Sequence, residues 1–119
     1  GMLGTTFGGN HLACAAALAV LSVIEEEDLM DNAVKIGEYI SKELSSCNSV
    51  SEIRGRGLMI GIELKEGYEK IKERLLFQKC VFTGSAGSNV IRILPPLNIT
   101  INDTDEFITA FKELEKEIQ

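Results

Sequence analysis

Leu58, Ile60, Ile62 and Leu64 alternate with Met59, Gly61 and Glu63, and this period of two specifies a strand with one buried face. Such a strand needs a second layer to cover it. Two stretches supply one. Leu29, Ala33, Ile36, Ile40 and Leu44 recur at steps of 4, 3, 4 and 4, and Phe107, Phe111, Leu114 and Ile118 at steps of 4, 3 and 4. Both are apolar stripes along amphipathic helices.

The remaining elements fall between these. His11 to about Glu26 predicts an Ala-rich helix, with Asn10 as its N-cap. Its acidic end, Glu25 to Asp28, opposes its own dipole and fits better as the opening of the second helix, with Asp28 as N-cap. Val50 to Arg54 is a weaker strand, and Arg54-Gly55-Arg56-Gly57 forms a bend or bulge before the next. Those arginines either line an anionic site or are simply solvated. Gly67 to Gln78 reads as a short helix with Tyr68, Ile71 and Leu75 inward, Val81 to Thr83 as a strand, and Gly84 to Asn89 as a flexible loop. Val90 to Leu94 is a strand ended by Pro95-Pro96, and Asp103 opens the last helix with Glu106 completing a capping box. The order α-α-β-β-α-β-β-α has no regular βαβ alternation. The expected fold is therefore α+β, a two-layer sandwich with a small, mainly antiparallel sheet covered by helices on one face.

A chain of 119 residues, 45 % hydrophobic and 25 % charged, suits one core, so residues 1–119 are expected to form a single domain. A net charge of −6 without a basic stripe argues against nucleic-acid binding. The apolar run from Leu12 to Ile24 is shorter than the ~18 residues of a membrane span and lacks the basic flank of a signal peptide. Cytoplasmic location and no membrane partner are the expectation. Cys14, Cys47 and Cys80 are an odd number without a C-x-x-C pair, which fits free thiols in a reducing compartment. The only histidine is His11, so no metal site is expected. Gly1 before Met2 reads as a remnant of tag cleavage, with Met2 opening the reading frame.

The chemistry concentrates at the start. Gly4-Thr5-Thr6-Phe7-Gly8-Gly9-Asn10 offers two hydroxyls and the Gly8-Gly9 pair just before a helix whose first turn presents N–H groups and partial positive charge. It makes either a tight turn before a capped helix or a phosphate-contact loop. No Lys-Ser or Lys-Thr follows the glycines, which excludes a Walker P-loop. Arg92 lies inside an apolar strand, facing away from Ile91 and Ile93, a costly position unless it meets water or a carboxylate.

Three stretches together resemble one family. The segment from Gly4 to Ala17, the strand pair from Ile53 to Leu64, and Asn89-Val90-Ile91-Arg92-Ile93-Leu94-Pro95-Pro96-Leu97-Asn98-Ile99-Thr100 are similar, in order and spacing, to the C-terminal domain of class III pyridoxal-phosphate-dependent aminotransferases. The acetylornithine type and its ornithine relatives are most alike. The resemblance implies that Thr6, helped by Thr5, reaches the cofactor phosphate of a partner subunit, and that Arg92 binds a substrate carboxylate or pairs with an active-site acid. It implies amino transfer to 2-oxoglutarate in a complete homodimeric enzyme carrying pyridoxal phosphate. Two positions depart from the family pattern, Leu3 where His is usual and His11 where Pro is usual.

The family's Schiff-base lysine lies upstream of the Thr-Thr loop, and none of the eight lysines here has its context. No catalytic residue is therefore assigned. The 119 residues alone are expected to be inactive and to hold no cofactor, with a separate N-terminal cofactor domain as the partner they lack. The alternative is a non-catalytic binding or oligomerisation module that retains the aminotransferase C-terminal fold.

Overall fold

The computed structural model describes residues 4–118. The expected features of Gly1, Met2 and Leu3, including the departure at Leu3, lie outside them. Contacts divide the chain into two compact units, Gly1–Met30 and Asp31–Gln119.

The first unit holds a turn and helix α1, His11–Glu26. Asn10 caps α1 as expected, with its backbone extended and its side-chain oxygen accepting the Ala13 N–H at 2.9 Å. Despite its apolar composition, no residue of α1 is buried. The expected role of Asp28 is corrected. Glu25 and Glu26 stay in the last turn of α1, and Asp28 has φ of 50°, a left-handed link rather than the extended backbone of an N-cap.

The second unit takes in α2 (Leu29–Leu44) from Asp31 on, then β1 (Val50–Arg56), β2 (Met59–Leu64), α3 (Lys70–Lys79), β3 (Gly84–Ser85), β4 (Val90–Ile93) and α4 (Ile101–Ile118). The four strands form an antiparallel sheet in the order β1-β2-β4-β3. Ile60, Ile62 and Leu64 of β2 join Ile91 and Ile93 of β4 on one face, against Ile36, Ile40 and Leu44 of α2, Ile71 and Leu75 of α3, and Phe111 and Leu114 of α4. The other face carries Glu52, Arg54, Gly61, Glu63 and Arg92. This is the expected two-layer α+β arrangement.

Three expectations shift in detail. Arg54-Gly55-Arg56 is not a bend but the end of β1, and a two-residue turn at Gly57-Leu58 joins it to β2, with Gly57 at φ 55°. The bulge lies instead between Val50 and Glu52. Val81 to Thr83 is not a strand; β3 is Gly84–Ser85, within the expected loop, because those residues pair with Arg92 and Ile91. Helix α4 opens at Ile101, not Asp103. Thr100 Oγ1 accepts the Asp103 N–H at 3.2 Å and Asp103 Oδ2 accepts the Thr100 N–H at 3.1 Å, a reciprocal capping pair one turn ahead of the expected one.

Side-chain bonds pin the helices together. Tyr39 donates to Asp105 at 2.7 Å and Lys112 to Glu43 at 2.7 Å, joining α2 to α4, while Lys79 donates to Glu113 at 2.6 Å, joining α3 to α4. At the lower end of α2, buried Glu115 accepts the Ser49 N–H. Helix and hairpin also meet at glycines: a Cβ at Gly37 would lie 2.2 Å from the Gly57 carbonyl oxygen.

Candidate functional site

Arg92 stands on the open face of β4, an interior strand of the sheet. Its cross-strand partners are Gly61 on β2 and Gly84 on β3. With a glycine on either side, neither directly paired residue has a side chain to cover the guanidinium. Among the described residues no carboxylate lies within ion-pair distance of it. Arg92 therefore presents a fixed positive charge with its donors uncommitted, the state suited to capturing a carboxylate in two parallel bonds.

Arg54 makes the contrast. It sits two strands away on the same face, across Gly61 of β2, but its guanidinium holds Glu52 at 2.6 Å and Glu63 at 2.8 Å. Those two glutamates face each other across the ladder, and Arg54 offsets their repulsion. Its role is structural. Arg56 belongs to the hairpin end and shares a shallow surface with Gly55, Gly57 and Glu38.

A groove of about 300 Å³ opens beside Arg92. Its lining is mostly apolar: exposed Phe82 and Leu94, half-buried Pro95, Ile99 and Phe107, and buried Ile93, together with Thr83 and Gly84. Asn32 on α2 fixes one wall. Its amide donates to the carbonyls of Leu97 at 2.7 Å and Ile99 at 3.1 Å, holding the segment after Pro95-Pro96 in place. Neither Asn32 nor Gly84 was legible as a site residue. An asparagine in the first turn of a helix usually serves the helix itself, and its long-range bonds exist only once the chain has folded.

Thr5 and Thr6 lie in the first unit, in the turn before α1, and both are exposed. Gly8 N–H donates to the Thr5 carbonyl at 3.3 Å, and the Asn10 amide donates to the Phe7 carbonyl at 2.7 Å, closing the turn. Gly9 has φ of 73°, which favours glycine, and a Cβ at Gly8 would lie 2.4 Å from the Thr5 methyl. The turn thus presents exposed hydroxyls next to a helix N-terminus, a donor set that fits a phosphate. Thr5 and Thr6 belong to one unit and Arg92 to the other.

The titrating groups argue against a reactive amine or thiol at several positions. The bond to Glu113 raises the Lys79 ammonium above its ordinary range, and the bond to Glu43 does the same for Lys112. Each is held protonated, the wrong state for a nucleophile. Burial pushes the Cys47 thiol up, with the Glu115 carboxylate adding to it, so that thiol is inert. Among the described residues no group of acidic, His and Cys side chains is placed to hold a metal ion, and no helix is long and apolar enough to cross a membrane.

The class III aminotransferase family matches over residues 1–114. The ornithine aminotransferase of Bacillus subtilis is 43 % identical over 116 residues, covering 96 % of this chain and 29 % of the relative. The acetylornithine aminotransferase of Nitrosomonas europaea is 40 % identical over 114 residues, covering 92 % and 29 %. Among solved structures, the ornithine aminotransferase of Toxoplasma gondii superposes with a TM-score of 0.82 at 30 % identity, covering 99 % of this chain and 30 % of the other. The acetylornithine aminotransferase of Elizabethkingia anophelis gives 0.81 at 30 % identity, covering 98 % and 33 %. The chain therefore spans less than a third of the length of the curated relatives it matches.

Proposed function

The chain belongs to the class III aminotransferase family, and from that premise we propose that it is the C-terminal portion of a pyridoxal-phosphate enzyme of the ornithine or acetylornithine type, passing an amino group to 2-oxoglutarate. The observation that carries this reading is Arg92, an exposed guanidinium on an interior strand with glycines on both sides and an apolar groove alongside. In that enzyme Arg92 binds and orients a substrate carboxylate. Thr6, with Thr5, donates hydroxyl hydrogen bonds to the cofactor phosphate of a partner subunit in a homodimer. Pyridoxal phosphate, when bound, supplies the electron-withdrawing ring that makes the amino transfer feasible.

The 119 residues on their own are proposed to be inactive. Lys79 and Lys112 are held protonated in ion pairs, and none of the lysines has the family's cofactor-bearing context. Mixing the chain with pyridoxal phosphate and borohydride should leave every lysine short of stoichiometric labelling; full labelling at one site overturns this. The carboxylate role is tested by titrating glutarate into the chain and into Arg92→Ala. Binding that survives the substitution removes Arg92 from the role.

A second reading has its own observation. Helix α1 exposes Leu12, Leu18, Val20 and Leu21, more apolar surface than a solvated helix carries. On this reading the chain is a non-catalytic oligomerisation module that keeps the fold. Light scattering separates the two: a stable dimer of the isolated chain favours the module, and a monomer that binds a hydrophobic dye favours a portion of a larger enzyme.

A further inference from the structure

The geometry points to Gly84 as a specificity-determining residue, the one whose missing side chain keeps the carboxylate-binding edge of Arg92 open to a straight-chain dicarboxylate; we infer this on the basis of the carboxylate role proposed above. Four glycines among the described residues, Gly9, Gly57, Gly67 and Gly87, have positive φ, where glycine answers a backbone demand. Gly84 is not one of them. It lies in β3, in register with Arg92, where a β-branched residue would suit the strand better. What glycine contributes there is space.

That space adjoins the reactive side of the arginine. A Cβ at Gly84 would stand 3.2 Å from Nε of Arg92, 3.5 Å from its Nη2 and 3.3 Å from its carbonyl oxygen. Nε–H and the adjacent Nη2–H point the same way and form the edge that offers a carboxylate two parallel bonds. A methyl at 84 forces a shift of a few tenths of an ångström, and a branched side chain reaches further into that edge. Gly61, on the other side, is the natural contrast. A Cβ there meets only Val90 at 3.6 Å and the Arg54 carbonyl at 3.7 Å, ordinary contact distances. Both glycines flank Arg92, but only one controls access to its donors. Phe82, Leu94 and Pro95 line the same groove as Arg92, and their apolar character suits a methylene chain leading away from the bound carboxylate.

The test is an NMR titration of the 119-residue chain with glutarate, reading the Arg92 Nε–H resonance. Binding should weaken a few-fold in Gly84→Ala and about tenfold in Gly84→Val, the loss of one charge-assisted hydrogen bond, and stay unchanged in Gly61→Ala. Thermal melts establish that each variant is folded; where Gly84→Val does not fold, Gly84→Ala and Gly84→Ser carry the test. If the folded Gly84 variants bind glutarate as the wild type does while Arg92→Ala does not, the inference about Gly84 falls and the role of Arg92 stands. Equal weakening in Gly61→Ala also overturns it, because the effect would then be one of the sheet and not of that edge. If glutarate leaves the wild-type Arg92 resonance unmoved, the carboxylate reading fails and this inference fails with it.

Discussion

Helices α1 and α4 are nearly equal in length, yet they stand in opposite relation to water. α1, His11–Glu26, is mainly alanine, leucine and valine, and none of its residues is buried. α4, Ile101–Ile118, carries Asp, Glu and Lys along much of its length and buries Thr104, Ile108, Ala110, Phe111, Leu114 and Glu115. Apolar content alone therefore does not decide burial. α4 segregates its apolar residues into one stripe that the sheet layer can cover. α1 is apolar almost all round, so any single neighbour would cover only part of it. The stripe of α4 belongs to folding. The surface of α1 is a demand for a partner, which the proposed subunit contact would meet.

Substitutions can break or sharpen that contrast. The largest effect should come from Phe111→Ala, because Phe111 is fully buried and truncating such a residue costs about 3–5 kcal/mol; denaturant unfolding measures it. Gly37→Ala should cost about 1–3 kcal/mol by overpacking, since its new Cβ would strike the Gly57 backbone. Glu115→Ala should cost about 1–3 kcal/mol by leaving the buried Ser49 N–H unpaired, with Glu115→Gln recovering most of the loss.

The pH response of the α4 cap comes next. Hydrogen bonds from the Thr100 hydroxyl and N–H hold the Asp103 carboxyl below its ordinary range. A depressed folded-state pKa means that this contribution is fully present above the unfolded-state value. It is lost as pH falls through the lower, folded-state value. Acid titration of stability should flatten in Asp103→Asn relative to wild type; an unchanged acid limb removes the cap from the account. Smallest of all, Leu18→Ser on α1, where the side chain is 66 % exposed, should change the isolated chain's stability by less than about 0.5 kcal/mol. A large loss there would erase the distinction between the two helices.

Where the pattern was periodic, the elements were legible. The alternation through Ile60, Ile62 and Leu64 became β2, the α2 stripe met it, and Asn10 caps α1. Where short-range signals competed, placement failed. Thr100 and Asp103 form as good a capping pair as Asp103 and Glu106, and only the fold chose between them. Val81 to Thr83 has the composition of a strand, but the ladder partner of β4 is Gly84–Ser85, and composition carries no information about register. Arg92 was legible as a site residue because an arginine in an apolar strand needs a reason. Gly84 was not, because its meaning is the distance to Arg92.

The sequence by itself determined the α+β class, the buried face of the sheet and the family. Each rests on periodicity or on motifs that are each contiguous in the chain, and local chemistry is enough to express them. The tertiary structure alone decided that Arg54 is consumed by Glu52 and Glu63 while Arg92 is left open between two glycines. Both are arginines in strands. What separates them is which side chains the strand pairing sets beside each, and pairing joins residues that are distant in sequence.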